Sequence, residues 1–137
     1  MEAKEFLLQI QKLDKLIENK LVEVQQLKNF VDNISPSYSS MDRVQSTHNP
    51  HRTSDAICKY IDLDKEINQC IDKLIKVKKD VIGVIEQLDR DEYDVLHKVY
   101  VQYLSLKEVA YSCDKSPSWV KGVHKKAVEH VQNILDG

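Results

Sequence analysis

"YIDLDKEINQCIDKLIKVKKDVIGVIEQL", Tyr60 to Leu88, sets Tyr60, Leu63, Ile67, Cys70, Leu74, Val77, Val81, Val84 and Leu88 at alternating intervals of three and four. Such spacing returns an apolar side chain to one face at every turn, and it reads as a helix lying along another helix. Ile71, Ile75, Ile82 and Ile85 stand beside this seam and widen the apolar face beyond what one partner covers. The face from Cys70 to Leu88 therefore predicts either a homodimer or docking of the C-terminal helices onto it.

Toward the N-terminus the same spacing runs through Ala3, Phe6, Ile10, Leu13, Ile17, Lys20, Val24, Leu27, Val31 and Ile34. Lys20 is the only charged residue in this seam, which spans about 48 Å at ~1.5 Å rise per residue. An antiparallel return that sets Ile34 level with Asp55 brings Lys20 level with Gln69, near Glu66 and Asp72. An ion pair is expected there, acting on register more than on stability. Between the seams, "SPSYSSMDRVQSTHNPHRTS", residues 35–54, keeps neither period and reads as a long loop, either functional or disordered.

Beyond Leu88 three shorter helices are expected. Asp89 with Glu92 forms the pattern of a capping box, and Leu88 with Tyr93 that of a hydrophobic staple. Val95, Leu96, Val99, Tyr100 and Tyr103 would be the apolar residues of that helix. Ser105 with Glu108 repeats the box, and Leu104 with Val109 the staple, for a short helix ending near Cys113. After the turn "CDK", Ser116 as N-cap and Pro117 at the first helical position open a last helix. Val120, Val123, Ala127, Val131 and Ile134 form its inner face. The predicted architecture is all-α: a helical hairpin over 1–88, then a three-helix bundle over 89–137.

Two helices joined by so short a turn have the layout of a helix-turn-helix, whose second helix presents its N-terminal residues to the DNA major groove. Opposite the valine stripe fall Ser118, Lys121, Gly122 and Lys125. Lys115, His124 and Lys126 lie near the flanks, and Ser116 and Trp119 stand at the opening. Residues 89–114 carry six acids and three bases, whereas 115–126 carry four lysines and no acid. The net charge of −2 thus hides a polarised distribution suited to phosphate. Gly122 weakens a helix that is otherwise well capped, which fits either close approach of the backbone to a base or sugar or a crowded neighbour that leaves no room for a side chain. Packing against the preceding helix is the commonest reason for a tryptophan like Trp119.

The remaining chemistry is sparse. Cys58, Cys70 and Cys113 form no CxxC pair and are expected as free, mostly buried thiols. His48 and His51 flank a proline with no completing ligand set, so neither metal nor other cofactor is expected. No nucleophile motif or phosphate loop points to an enzyme. The N-terminus "MEAKEFLLQIQK" has no basic segment leading into an apolar one, and no run reaches the roughly eighteen apolar residues of a span. A cytoplasmic protein without a membrane segment is the expectation.

"SLKEVAYSCDKSPSWVKGVHKKAVEHVQNIL" resembles region 4 of the sigma-70 family, whose helix-turn-helix reads the −35 promoter element. The whole chain, including "AKEFLLQIQKLDKLIENKL", "DRVQS" and "IEQLDRDEYDVLHKVYVQYLSLKEVA", resembles small regulators of the ArpU and RinA type encoded by phages of Gram-positive bacteria. That resemblance implies a regulator of phage (late) gene expression in the host cytoplasm, with double-stranded DNA and host RNA polymerase as partners. The family's base-reading positions fall on Pro117, Ser118, Lys121 and Gly122, where only Lys121 keeps a long polar side chain. A site other than the standard −35 sequence is implied. Sigma region 2, which melts promoters, has no counterpart, so the resemblance implies an activator rather than an autonomous sigma factor. The competing expectation is an interaction protein without DNA binding, in which the hairpin holds a partner such as polymerase and the C-terminal helices are a plain bundle.

Overall fold

The computed structural model describes the backbone of residues 1–39 and 50–137, and the side chains of 1–32 and 54–137. Every regular element among them is helical: α1 (Ala3–Ser39), α2 (Pro50–Ile85), α3 (Arg90–Leu96), α4 (Leu106–Cys113) and α5 (Pro117–Asp136), with a π-helical turn over His97–Val101. No described helix is long and apolar enough to cross a membrane. Helix takes both ends of the loop expected over 35–54: α1 continues to Ser39 and α2 begins at Pro50. The rest of that loop, including "DRVQS", lies outside the described residues.

The chain forms two compact units, Lys15–Asp72 and Met1–Asp14 with Lys73–Gly137. The division expected at Leu88 is therefore not where the chain divides. Its physical cause is the core of the larger unit, where Leu7 and Ile10 of α1 and Val81 and Ile85 of α2 bury completely with Leu96 and Val131. The C-terminal helices thus dock onto the end of the wide α2 face, one of the two outcomes its width predicts. Leu88 and Tyr93 pack against the same core. The N-terminus is tied in as well: the Ala3 amide donates to Gln132 Oε1 at 2.7 Å, and Gln132 Nε2 donates to the Met1 carbonyl at 3.3 Å.

In the hairpin unit Ile17 and Ile67 are buried, and the other described seam positions are partly so. Leu27 and Phe30 of α1 share a groove with Ala56 and Lys59 of α2, as antiparallel pairing requires. Lys20 Nζ lies 2.7 Å from Glu66 Oε2, the predicted ion pair. The Glu66 carboxylate holds this ammonium above its ordinary 10.5. Lys20→Leu is expected to raise the melting temperature while loosening register, because an apolar side chain suits the seam and the charge pair selects its alignment. Thermal melts with hydrogen exchange along α1 check this; a lower melting temperature would contradict it.

Local capping follows expectation in two places and departs in one. At α4 the Ser105 hydroxyl accepts from the Glu108 amide at 3.2 Å while the Glu108 carboxylate accepts from the Ser105 amide at 3.5 Å. At α5 the Ser116 hydroxyl accepts from the Trp119 amide at 3.1 Å, with Pro117 at the first position. At α3, Asp89 has N-cap backbone angles but makes no side-chain cap. Glu92 is instead buried and receives His130 Nδ1 at 2.6 and 2.9 Å, so no capping box forms. A buried carboxylate needs a donor, and α5 supplies one that the first turn of α3 does not.

The helix expected to carry Tyr103 inward also departs from the 3.6-residue period. Val95, Leu96 and Tyr100 bury, but the Gln102 amide bonds to the His97 carbonyl five residues back, and that wider turn advances less per residue. Tyr103 then has φ 62 and is exposed, its hydroxyl donating to Asp14 at 2.7 Å.

Candidate nucleic-acid interface

Helix α4, the turn and α5 are built from local signals. The αL conformation of Asp114, φ 57, lets its own amide and that of Lys115 reach back to the last carbonyls of α4, the Lys115 amide bonding Ala110 at 3.0 Å. Aspartate tolerates this conformation better than most residues. The chain leaves the turn directly into the Ser116 cap. Val109, Ala110 and Val120 bury together with Val95, and Trp119 and Val123 pack at their edge. That core sets the rotation of α5 about its axis.

With the rotation set, Lys115, Ser116, Ser118, Lys121, Gly122, Lys125 and Lys126 are all exposed. A Cβ added at Gly122 would meet no atom within 4 Å, so no crowding by a neighbour explains the glycine. Trp119 is half-buried, as its packing role requires, and Lys115 Nζ sits 5.3 Å from the centre of its ring. That cation–π contact tethers a lysine at the helix opening.

His124 does not belong to the exposed face. Its Nε2 lies 2.8 Å from the Tyr100 hydroxyl, and the two rings stack with centroids 5.7 Å apart. The expected DNA-facing role at this position is corrected: i+4 from Val120 points the imidazole toward the π-helical turn. Burial, helped by the Lys4 charge, pushes its pKa below the ordinary 6.5, and burial pushes the Tyr100 phenol up. The unfolded chain therefore binds this proton more readily than the folded one. The associated stability is complete above the ordinary imidazole pKa and declines as pH falls through it. Melting temperature is expected to drop between about pH 7.5 and pH 5.5, and His124→Gln to flatten part of that drop. Parallel melts of the two proteins over that range provide the check.

Behind the turn, Lys98 Nζ lies 3.0 Å from Asp94 Oδ2 and 3.4 Å from Cys113 Sγ. The Asp94 hydrogen bond holds that ammonium above 10.5, so Lys98 is engaged rather than offered to a ligand. The cysteines are free, but none is buried: Cys58 is exposed and Cys70 and Cys113 are partly so. Cys58 alone departs from the expected cover, since Cys70 and Cys113 are more covered than open. No cluster suited to a metal ion occurs among the described residues, and His48 and His51 lie outside the described side chains.

One exposed residue here went unread in the sequence. Tyr111 on α4 is 89% exposed and lies just ahead of the turn. Val109, Ala110 and Cys113 mark the inner face of α4, and their spacing alone sets Tyr111 opposite. No protein-family model matches the chain, and neither a curated protein nor a solved structure matches it significantly.

Proposed function

We propose that the chain is a sequence-specific DNA-binding regulator of transcription, with α5 entering the major groove and α4 lying across the phosphates. The observation that carries this reading is the exposed face of α5, where Lys121, Lys125 and Lys126 surround an open Gly122 and no acid intervenes before Glu129. Lys121 and Ser118 read base edges. Lys115 and Lys126 contact phosphate, and the Tyr111 hydroxyl on α4 donates to the backbone as the first helix of such a motif does. The resemblance to phage regulators adds the role: activation of phage genes in the host cytoplasm through contact with host RNA polymerase.

Selection of bound sites from random duplex DNA, followed by titration over a salt series, tests this. Enrichment of a common site is expected, with the logarithm of affinity falling linearly with that of salt by about 0.9 per phosphate neutralised. Absence of binding at low salt would end the reading. Lys115→Ala and Lys126→Ala should each flatten the slope by about one and weaken all sequences alike.

A further inference from the structure

Helix α2 carries a second stripe, one residue on from the seam that faces α1. Ile57, Ile61, Asp64, Asn68, Ile71, Ile75 and Lys78 follow one another at alternating intervals of four and three. All are exposed, and the isoleucines, which a solvated face has no reason to gather, are open at 45, 48, 38 and 62% in chain order. This is a coiled-coil seam on one helix, with polar residues near its middle and at its end. Docking of the C-terminal helices covers Val81 and Ile85 and leaves these isoleucines open.

We propose that the stripe pairs with the same stripe of a second copy of this chain, antiparallel, about a twofold axis level with Glu66. In that register Ile57 meets Ile75 of the second copy, Ile61 meets Ile71, and Asp64 meets Asn68. Each contact occurs twice, as an isologous interface demands. Lys78 falls level with Ser54, and Asp64 comes within a helical turn of Lys65 of the other copy, an opposite charge that offsets the two Lys65 ammoniums standing either side of the axis. The alternatives are worse on the same residues. A parallel pair sets Asp64 on Asp64 and Lys78 on Lys78, two like-charge layers. Sliding the antiparallel pair by one heptad either way sets isoleucines against Lys78, Asp64 or Asn68. The polar middle thus selects one alignment, the use that buried polar seam positions serve best. The dimer goes beyond the DNA-binding reading and does not depend on it.

Sedimentation of the full chain, without DNA, gives the first test. A dimer in the micromolar range is expected, and Ile71→Asp should weaken it about 100-fold or more, since the change removes an apolar contact on both sides of the axis. Because Ile71 is exposed in the single chain, Ile71→Asp should keep its helical circular dichroism and melt cooperatively when dilute. The register is tested in a chain with the three native cysteines changed to serine and carrying Ile61→Cys and Ile71→Cys. These positions lie about 15 Å apart along one helix, too far for a bridge within a chain. Mild oxidation should yield a covalent dimer whose digest contains the 61–71 linked peptide. Predominant 61–61 and 71–71 links would overturn the antiparallel alignment. A native chain that stays monomeric at high concentration would overturn the dimer. Should the cysteine variant fold poorly, the native chain and Ile71→Asp still decide the dimer, whatever the outcome of DNA titrations.

Discussion

Leu7→Ala is expected to cost about 2–5 kcal/mol of folding stability, the usual range for emptying a fully buried leucine site. Leu7 stands outside the α1 seam, yet it is completely buried beside Ile10, Val81, Ile85 and Leu96 in the core of the larger unit. That core joins the first turns of α1 to the C-terminal helices, so the loss should reach α3 and α5 as well as the start of α1. Leu21→Ala is the matched control. Leu21 is about half exposed in the hairpin unit, and its truncation should stay within about 0.5 kcal/mol. Urea unfolding at fixed protein concentration checks both, since self-association would otherwise shift the midpoints. Equal effects at the two sites would mean that Leu7 does not occupy the core described.

Lys121→Ala is expected to reduce discrimination between the selected DNA site and random sequence by about 1–3 kcal/mol, the range for a direct contact to a base edge. Gly122→Ala separates folding from binding at the neighbouring position. With nothing within 4 Å of the added methyl, helix propensity alone should stabilise the protein by roughly 1 kcal/mol. The same methyl stands on the face proposed to approach DNA, where it keeps the backbone from a base or sugar. Stability should rise while specific affinity falls, an opposition that a purely structural glycine does not produce. Thermal melts and anisotropy titrations on the selected site measure the two quantities. If Lys121→Ala weakens every sequence equally, the lysine contacts phosphate. If Gly122→Ala binds normally, close approach through that face is wrong.

The all-helical architecture was legible in the spacing of apolar residues, because a helix that buries one side must repeat every three or four positions. The Ser105 box and the Ser116–Pro117 start were legible for a related reason. A cap is made within one turn, and its partners are three residues apart. Even Lys20 with Glu66 could be foreseen, since two seams of equal period leave few registers open. The lysines of α5 were placed outward by the same periodicity, opposite the valines.

Tertiary structure alone decided the cases in which one residue had two satisfactory local choices. Glu92 has the spacing of a capping residue, but His130, thirty-eight residues later, offers a donor beside a buried carboxylate. His124 sits among lysines in the sequence, yet Tyr100 in the π-helical turn stacks on it and draws it inward. Leu7 and Ile71 are both apolar and both off their helices' seams, but Leu7 is covered where the C-terminal helices return and Ile71 is left open. A sequence states which faces of a helix can be buried. Which of them is buried depends on what arrives there, and desolvation is favourable only where the arriving surface supplies matching apolar area or the missing hydrogen bond.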